Sequence, residues 1–349
     1  MRTNRLPPLL AWLLLACAIP AAALGAASHS APGAPAPAAK EDDATTRRLQ
    51  EATAAVVAVR ARALGNARSN ESLGPERSGS GILIAPSGLV LTIGYLILEA
   101  DQVEITDSNG RSLPASVVAY DHATGFGLLR PIGRLLPKPA RLGTSGSVEQ
   151  LDRLVIASGG EGGVSVATVV SRRLFAGYWE YLIDGAIFTS PPRTDHSGAA
   201  LINKEGELVG IGSLFVMDAM TPGERLPGNM FVPIDLLKPI LAEMIETGRQ
   251  KAGRRPWIGV SSIEDDGHLR IVRVSADGPA EKAGIRSGDI ILAIGGEKVR
   301  GLADFYRKLW ASGEPGVEVG LTVLQGAQLR AFTVHSIDRL DFVRRKPTI

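Results

Sequence analysis

The sequence has only one cysteine, Cys17, among its 349 residues. A single thiol cannot form a disulfide within the chain, so the fold must be stabilised by its hydrophobic cores. The five histidines share no metal-ligand spacing with one another or with the cysteine. The sequence therefore predicts neither a metal site nor a bound cofactor.

An excess of charge of one sign is also absent, since 38 Lys and Arg residues are balanced by 36 Asp and Glu residues. The formal net charge of +2 argues against a dedicated nucleic-acid-binding protein. A basic run at 249–255 is typical of a solvated linker or, alternatively, of a patch that meets a membrane surface. With 45% hydrophobic and 21% charged residues, the chain is long enough for two or three globular domains.

The N-terminal segment has the pattern of an export signal. Arg2 and Arg5 precede an apolar core at 9–16, and Ala21–Ala23 supply the small residues of a cleavage site. The apolar stretch is too short for a membrane-spanning helix. We therefore expect residues 1–26 to be a signal peptide and the protein to be exported.

Cys17 closes the motif Leu14-Leu15-Ala16-Cys17, which resembles the lipobox of bacterial lipoproteins. In such proteins this cysteine becomes the lipidated first residue, and the lipid anchors the protein to a membrane. The alternative is a small residue inside an ordinary signal core, because residues 18–24 remain mostly apolar. Both interpretations stay open on the sequence alone.

Residues 27–44 are rich in Ala and Pro, which predicts a disordered tether. From 45 to 248 many short apolar runs alternate with turn residues, a pattern that favours an all-β barrel or sandwich. Helical spacing is expected at 45–54 and 232–248, and a polar, mobile loop at 66–77. The runs that predict strands are 56–59, 81–84, 89–92, 102–105, 115–118, 127–129, 154–157, 164–170, 181–183, 200–202 and 208–211.

A basic linker at 249–256 leads to a third unit at 257–340, which is followed by a tail at 341–349. This unit contains a helix-like segment at about 302–310 and strands at 317–324 and 330–334. Its signposts, in order, are Trp257-Ile258-Gly259-Val260, Pro279-Ala280-Glu281-Lys282-Ala283-Gly284-Ile285 and Gly288-Asp289-Ile290-Ile291. This order closely resembles a bacterial PDZ domain, so an α+β fold is expected here.

Ser197 lies in the small-residue turn Thr194-Asp195-His196-Ser197-Gly198-Ala199-Ala200-Leu201, which is followed by a strand-like segment. This arrangement resembles the nucleophile turn of trypsin-like serine proteases of the HtrA/DegP type, whose pattern is Gly-Asn-Ser-Gly-Gly-Pro-Leu. The resemblance covers about residues 49–248 and implies a trypsin-like double β-barrel. Together with the PDZ-like unit, it reproduces the domain order of HtrA-type proteins.

The resemblance also identifies the positions of the other catalytic residues. Leu91-Thr92-Ile93-Gly94-Tyr95-Leu96-Ile97 matches Leu-Thr-Asn-Asn-His-Val-Val, which places Tyr95 at the family histidine. The segment from Asp121 to Leu129 matches Asp-x-x-Thr-Asp-Leu-Ala-Val-Leu, which places Gly125 at the family aspartate. Two of the three triad positions are therefore expected to lack their catalytic side chains.

Loss of the histidine alone is expected to abolish useful catalysis. A phenol with an ordinary pKa of about 10 keeps its proton at neutral pH, so Tyr95 cannot act as the general base. Gly125 has no side chain to orient a base. Triad members act as a unit, and loss of one costs on the order of a millionfold in turnover.

The oxyanion hole is also in doubt, because the family glycine two residues before the serine is replaced by Asp195. A carboxylate there would oppose the negative charge that develops on the substrate oxygen. His196 and His122 are the histidines nearest to the candidate chemistry. Either one would rescue a serine hydrolase only if it reached about 3 Å from the serine oxygen.

The PDZ-like unit keeps more of its binding features. Trp257, Ile258, Gly259 and Val260 supply a loop whose backbone N–H groups can converge on a peptide carboxylate, followed by an edge strand. A peptide would add as a further strand between this edge and the helix that carries Phe305 and Leu309. The alternative is a PDZ fold used only for packing or for oligomer contacts.

The function expected from these residues is that of an exported, periplasmic homologue without catalysis, which binds peptides, protein C-termini or unfolded chains. The resemblance implies a homo-oligomer or a complex with an active relative, and membrane contact only through a lipid anchor. One alternative is an active serine endopeptidase that uses Ser197 with a non-standard base. A second alternative is a structural scaffold of the cell envelope.

Overall fold

The computed structural model describes residues 37–250 and 254–344. The expected signal peptide and Cys17 lie outside the described residues. The first domain begins with eight elements, in chain order α1 (Pro37–Ala54), β1 (Val56–Ala63), α2 (Asn70–Leu73), β2 (Glu76–Leu83), β3 (Val90–Ile93), β4 (Ala100–Thr106), β5 (Ser112–Tyr120) and β6 (Phe126–Pro131). It continues with β7 (Arg141–Leu142), β8 (Arg153–Ser158), β9 (Gly163–Gly177), β10 (Tyr181–Ser190), β11 (Ala200–Ile202), β12 (Glu207–Val216), β13 (Gly228–Pro233) and α3 (Leu241–Thr247).

Strands β1 to β6 close into an antiparallel barrel in the order β1-β2-β3-β6-β5-β4. Strands β8 to β13 form a second ring in the order β11-β8-β9-β10-β13-β12, which closes because β11 also pairs with β12. The short strand β7 adds in parallel to the edge of β12. Apolar side chains that alternate along these strands fill both interiors, with Leu91, Leu128 and Phe231 at 0% exposure.

The smaller C-terminal domain contains β14 (Pro256–Trp257), β15 (Val260–Asp265), β16 (His268–Val274), α4 (Pro279–Lys282), β17 (Ile290–Ile294), β18 (Glu297–Lys298), α5 (Leu302–Ala311), β19 (Glu318–Gln325), β20 (Gln328–His335), β21 (Ile337–Asp338) and α6 (Arg339–Phe342). Its main sheet has the order β15-β16-β17-β19-β20, with β18 paired to β17. Helix α5 buries Phe305 and Leu309 in a separate core. The prediction of a double β-barrel followed by a smaller α+β domain is confirmed.

Two local predictions are wrong. The segment 66–77, expected to be a mobile loop, contains α2 and the start of β2. Its polar side chains are ordered because Arg77 donates to the backbone oxygens of Tyr95 and Leu98 and to Ser69 Oγ. The segment 232–248, expected to be a helix, contains the end of β13, a 3-10 turn and only the short helix α3. Residues 234–240 form turns with i,i+3 hydrogen bonds, and side chains three residues apart share a face in such turns much as they do in an α-helix.

The domain limits also differ in detail from those expected. The helix expected at 45–54 begins at Pro37, inside the segment expected to be a tether. Strand β14 begins at Pro256, within the expected linker, and pairs with β21. Phe342, in the expected tail at 341–349, belongs to α6 and packs on Trp257, with ring centroids 4.6 Å apart. Across residues 37–250 and 254–344, no helix is both long enough and apolar enough to span a membrane.

Glu99 joins three distant segments of the chain. Its carboxylate is buried and accepts hydrogen bonds from the backbone N–H groups of Arg68 and Ser69, from Ser69 Oγ and from the N–H of Arg344. Burial raises the pKa of this carboxyl, but the hydrogen bonds outweigh burial and leave the pKa below its ordinary value. The guanidinium of Arg68 in turn lies 4.1 Å from the ring centroid of Phe342. The carboxylate therefore ties the first barrel to the C-terminal segment.

We expect Glu99→Ala to lower the free energy of unfolding by about 2–4 kcal/mol, because several buried donors lose their acceptor. The measurement is urea denaturation of the mature chain at pH 7. Glu104→Ala, which removes an exposed carboxylate from β4, is the matched control and should change stability by less than about 0.5 kcal/mol. Equal effects of the two substitutions would contradict this account of Glu99.

Candidate functional site

Ser197 lies where the two barrels meet. Its backbone oxygen accepts from the N–H of Ser80 on β2 at 2.8 Å, and the next residue, Gly198, donates to the oxygen of Gly212 on β12 at 2.8 Å. Gly198 has φ +73°, and a Cβ at this position would lie 2.0 Å from the oxygen of Ser80. Only glycine fits here, so the turn holds Ser197 in a fixed position between the barrels.

Tyr95 is brought to Ser197 by a 3-10 turn, Gly94–Leu96, that follows β3. Its hydroxyl oxygen lies 2.8 Å from Ser197 Oγ and 2.8 Å from the backbone oxygen of Ser213. A carbonyl can only accept, and a phenol has one proton. Tyr95 therefore donates to Ser213, and the hydroxyl of Ser197 donates to Tyr95. The structure thus brings together the serine and the residue at the family histidine position.

This contact does not provide a general base. Burial raises the pKa of Tyr95 to about 12, although the hydrogen bond with Ser197 lowers it. The phenol therefore stays protonated at neutral pH and cannot take the proton of the serine. Tyr95 therefore lies where a general base would lie but cannot accept the proton of Ser197 at neutral pH.

The position of the family aspartate is filled from another strand. Gly125 has φ +79°, and a Cβ there would lie 2.9 Å from the hydroxyl oxygen of Tyr181. That hydroxyl donates to the backbone oxygen of Thr124 at 2.7 Å. Tyr181 is the first residue of β10, and burial raises the pKa of its phenol well above the ordinary value. Sequence reasoning missed Tyr181, because it lies 56 positions beyond Gly125 in the chain.

Asp195 holds its negative charge beside the serine turn. Arg193 binds the carboxylate through two nitrogens, at 2.8 and 2.5 Å. Burial raises the pKa of Asp195, but the hydrogen bonds and charge of Arg193 outweigh burial and leave the pKa below its ordinary value, so the carboxylate stays charged. A negative charge at this position opposes the negative charge that would develop on a substrate oxyanion.

The two histidines considered as substitute bases are engaged elsewhere. Nδ1 of His122 lies 3.1 Å from the hydroxyl of Tyr120, and its Nε2 accepts from Arg339 at 2.6 Å. Burial, followed by the charge of Arg339, holds the pKa of His122 well below its ordinary value. Nδ1 of His196 donates to the backbone oxygen of Arg193 at 3.1 Å. Within the described ranges, neither ring is hydrogen-bonded to Ser197.

The carboxylate-binding loop predicted in the C-terminal domain has the expected geometry. Gly259 has φ +82°, which turns the chain between Trp257 and strand β15. The N–H groups of Gly259 and Val260 converge on a single oxygen, at 3.0 and 3.3 Å. That oxygen is Oε1 of Glu180, a residue of the barrel domain.

The groove beside this loop is also filled by the barrel domain. The turn between β9 and β10, residues 178–180, lies between β15 and α5. Ser262 of β15 donates its N–H to the oxygen of Tyr178 at 2.8 Å. Tyr306 of α5 donates its hydroxyl to the oxygen of Gly177 at 2.7 Å and accepts from the N–H of Glu180 at 2.9 Å. We call residues 177–180 the groove hairpin.

The predicted groove residues therefore have different roles. Ile258, Val260, Phe305 and Leu309 are buried in the core of the C-terminal domain, beneath the groove hairpin. Direct contact from the helix comes from Tyr306, which sequence reasoning did not identify. Consecutive residues of a helix point about 100° apart. The sequence alone therefore does not show whether Phe305, Tyr306 or Leu309 faces the groove.

Glu180 is held in an apolar and partly charged environment. Burial raises the pKa of its carboxyl to about 7, although the charge of Arg339 and the loop N–H groups lower it. Arg339 is half-buried and donates to the oxygen of Trp179 at 2.8 Å as well as to His122. The hydroxyl of Tyr306 accepts from the backbone N–H of Glu180.

A cavity of about 1050 Å³ lies between the domains and is lined by residues of both. Its lining includes Tyr95, His196 and Ser213 from the cleft around Ser197, and Ser262, Glu264 and Leu302 from the C-terminal domain. No group of three or more metal-ligating side chains is found in the part of the chain that the structure describes.

Two domain families match the chain. Residues 79–211 match the trypsin-like peptidase domain, and residues 256–335 match the PDZ domain. Serine endoprotease DegS of Haemophilus influenzae is 29% identical over 292 residues, which cover 78% of this chain and 82% of the relative. A probable periplasmic serine endoprotease DegP-like of Pseudomonas savastanoi pv. phaseolicola is 27% identical over 275 residues, which cover 73% of this chain and 55% of that relative.

Solved structures show the same fold. The HtrA-type protease AlgW with a decapeptide has a TM-score of 0.53 and 20% identity, and the match covers 87% of this chain and 99% of that one. The serine endoprotease from Yersinia pestis has a TM-score of 0.50 and 22% identity, with 84% and 97% covered. The predicted order of a trypsin-like double barrel and a PDZ domain is confirmed.

We expect Gly125→Ala to destabilise the protein more than Gly110→Ala. Both glycines have φ +79°, so both alanines incur backbone strain of about 1–2 kcal/mol. Only the Cβ at 125 meets Tyr181, whereas nothing lies within 4 Å at 110. Urea denaturation should show an extra loss of about 1–3 kcal/mol for Gly125→Ala. The extra loss should shrink in a Tyr181→Phe background, and identical losses at 110 and 125 would contradict this prediction.

The raised pKa of Glu180 predicts a pH-dependent stability. A carboxyl whose pKa is about 7 when folded and 4.5 when exposed contributes stability that is fully present below about pH 4.5. That contribution is lost as the pH rises to about 7. Between pH 5 and pH 8, wild type should lose about 2–3 kcal/mol more of its unfolding free energy than Glu180→Gln.

The matched control for this measurement is Glu104→Gln, at an exposed position on β4. It should keep the pH dependence of the wild type. A Glu180→Gln variant with an unchanged pH profile would show that the carboxyl of Glu180 is not the titrating group.

Proposed function

Because this chain is a homologue of the HtrA-type proteases, with a trypsin-like peptidase domain followed by a PDZ domain, we propose that it is a non-catalytic member of the group that binds peptides. The observation that carries the proposal is the hydrogen bond between Ser197 and the phenol of Tyr95. The serine hydroxyl is bound to a group that keeps its proton at neutral pH. Serine nucleophiles require a base at this place.

Two further sites support the loss of catalysis. At Gly125 the hydroxyl of Tyr181 occupies the space that an orienting carboxylate would need. At the family's oxyanion-glycine position, Asp195 carries a carboxylate that Arg193 keeps charged, and this charge opposes a developing oxyanion. Proteolysis would therefore need changes at the base, at its orienting group and at the oxyanion site.

We propose that the PDZ domain carries this function by binding protein C-termini or unfolded chains. Its loop N–H groups already hold a carboxylate, which supports binding of a terminal carboxylate. The AlgW structures were solved with a decapeptide and with a tripeptide, so HtrA-type proteins of this fold bind peptides. A regulatory role in protein quality control follows from such binding.

The proposed location is the periplasm of a bacterium, and the relative from Pseudomonas savastanoi is named a probable periplasmic serine endoprotease. The N-terminal signal pattern agrees with export. Lipid attachment at Cys17 is part of this proposal as an alternative to signal cleavage after residue 26. A homo-oligomer, or a complex with an active relative, is the proposed assembly.

A second candidate function is serine endopeptidase activity with a non-standard base. It is favoured by the retained Ser197 and by relatives that are named serine endoproteases. A purely structural envelope scaffold is the third, and it would need neither the serine nor the loop N–H groups. A labelling and cleavage experiment separates the endopeptidase from the other two candidates, and peptide binding separates the peptide-binding protein from the scaffold.

The experiment compares wild type and Ser197→Ala in casein cleavage and in labelling by a fluorophosphonate probe. The DegS protein of Haemophilus influenzae serves as the active control. We expect both forms of this chain to remain unlabelled and to cleave at the same background rate. Labelling or cleavage that disappears in Ser197→Ala would overturn the non-catalytic assignment and support the endopeptidase.

A further inference from the structure

The groove hairpin lies along the edge of strand β15. One backbone hydrogen bond joins them, from the N–H of Ser262 to the oxygen of Tyr178 at 2.8 Å. Two residues further along the hairpin, the side chain of Glu180 accepts from the N–H of Val260, two residues earlier in β15. The hairpin therefore meets the edge where a peptide would add as a strand, through one backbone and one side-chain contact that run in the antiparallel sense.

The carboxylate of Glu180 completes this likeness. It is 4% exposed, and its Oε1 receives both loop N–H groups. The bound group is thus a side-chain carboxylate, placed where the terminal carboxylate of a peptide would be received. Its hydrogen bonds come from backbone N–H groups, and the charge of Arg339 also favours the ionised carboxylate.

The local backbone indicates that Glu180 is kept for its side chain. Gly177 pairs with Tyr181 across a three-residue turn, whose last residue in such turns is most often glycine. Glu180 has φ +59° there, a conformation that costs a non-glycine residue about 1–2 kcal/mol. Its hydrogen bonds to the PDZ loop offset that strain.

The fit is incomplete in one respect. Glu180 Oε2 is buried and has no hydrogen-bond partner among the described residues. An unsatisfied buried oxygen weakens the bound state. The terminal carboxylate of a separate peptide, free of the turn, can orient both of its oxygens toward the loop.

We propose that the groove hairpin is a built-in ligand of the PDZ domain, which a peptide with a free C-terminal carboxylate displaces. This inference rests on the proposed peptide-binding function. A groove that is filled by its own chain is open in only a small fraction of the molecules. Because a peptide binds only the open state, the measured affinity is the intrinsic affinity multiplied by that fraction. The occupant that the groove selects is a chain end, because an amidated end lacks the second carboxylate oxygen.

Displacement has a consequence for the cleft, since the groove hairpin continues directly into Tyr181. The hydroxyl of this residue fills the space beside Gly125. A peptide that removes Glu180 from the loop would therefore shift the adjoining residue in the cleft. Because Glu180 and Tyr181 are consecutive residues, a movement of the first is transmitted directly to the second.

The test measures peptide binding to the full mature chain. An array of hexapeptides that varies the last residue and the residue two before it is probed as free acids and as amides. The best free acid is then titrated by fluorescence polarisation. Glu180→Ala removes the internal carboxylate, and Tyr306→Phe removes both hydrogen bonds from the helix side. Asp184→Ala, an exposed carboxylate on the same strand, is the matched control.

We expect Glu180→Ala and Tyr306→Phe to bind free-acid peptides roughly tenfold or more tightly than wild type. Asp184→Ala should match wild type, and amides should not bind. Hydrogen exchange at 257–263 should be slow in wild type and in Asp184→Ala, and faster in the two release variants. The peptide should speed exchange in the groove hairpin of wild type.

If wild type and both release variants bind the free-acid peptide with equal affinity, the hypothesis of a built-in ligand is wrong. The proposed peptide-binding function is not affected by that result. Unchanged exchange at 257–263 in Glu180→Ala would overturn the built-in ligand independently of any peptide. If no variant binds any free acid although exchange is released, the peptide-binding function itself is wrong, and displacement by a peptide falls with it.

Discussion

The turn between β9 and β10 is the constraint on which both functional regions depend. Glu180 and Tyr181 are neighbours in the chain, yet one is bound by the PDZ loop and the other fills the floor of the cleft. Successive side chains at the start of a strand point to opposite sides, so a single short segment serves two sites. The long strands β9 and β10 are anchored in the second barrel. While the groove hairpin fills the PDZ groove, this turn therefore holds the two domains together.

The catalytic positions of this protein are occupied by other interactions. Tyr95 binds Ser197 and Ser213, Tyr181 takes the space beside Gly125, and Arg193 neutralises the carboxylate of Asp195. Each replacement satisfies the buried polar groups around it, as a folded core requires. These contacts stabilise the junction between the two barrels, and none of them requires Ser197 to act as a nucleophile.

Much of the fold was predictable, because short-range patterns define it. Alternating apolar residues located most strands, and Ser197 set the register that identified Tyr95 and Gly125. The groove hairpin was not predictable, since the contacts of Glu180 with Gly259 and of Gly177 with Tyr306 join residues about 80 and 130 positions apart. The error at 232–248 arose because the 3-10 turn at 234–236 and the turn after it place apolar side chains at nearly the same spacing as an α-helix.

The close approach of Tyr181 to Gly125 also restricts how this sequence can change. A carboxylate at position 125 would need the space that the phenol now fills, so it has to follow a change at 181. That change opens a void and leaves Thr124 without its donor before any catalytic benefit exists. Every single-step route back to a triad therefore passes through a less stable and still inactive intermediate. The packing of one tyrosine would therefore make the proposed loss of catalysis hard to reverse.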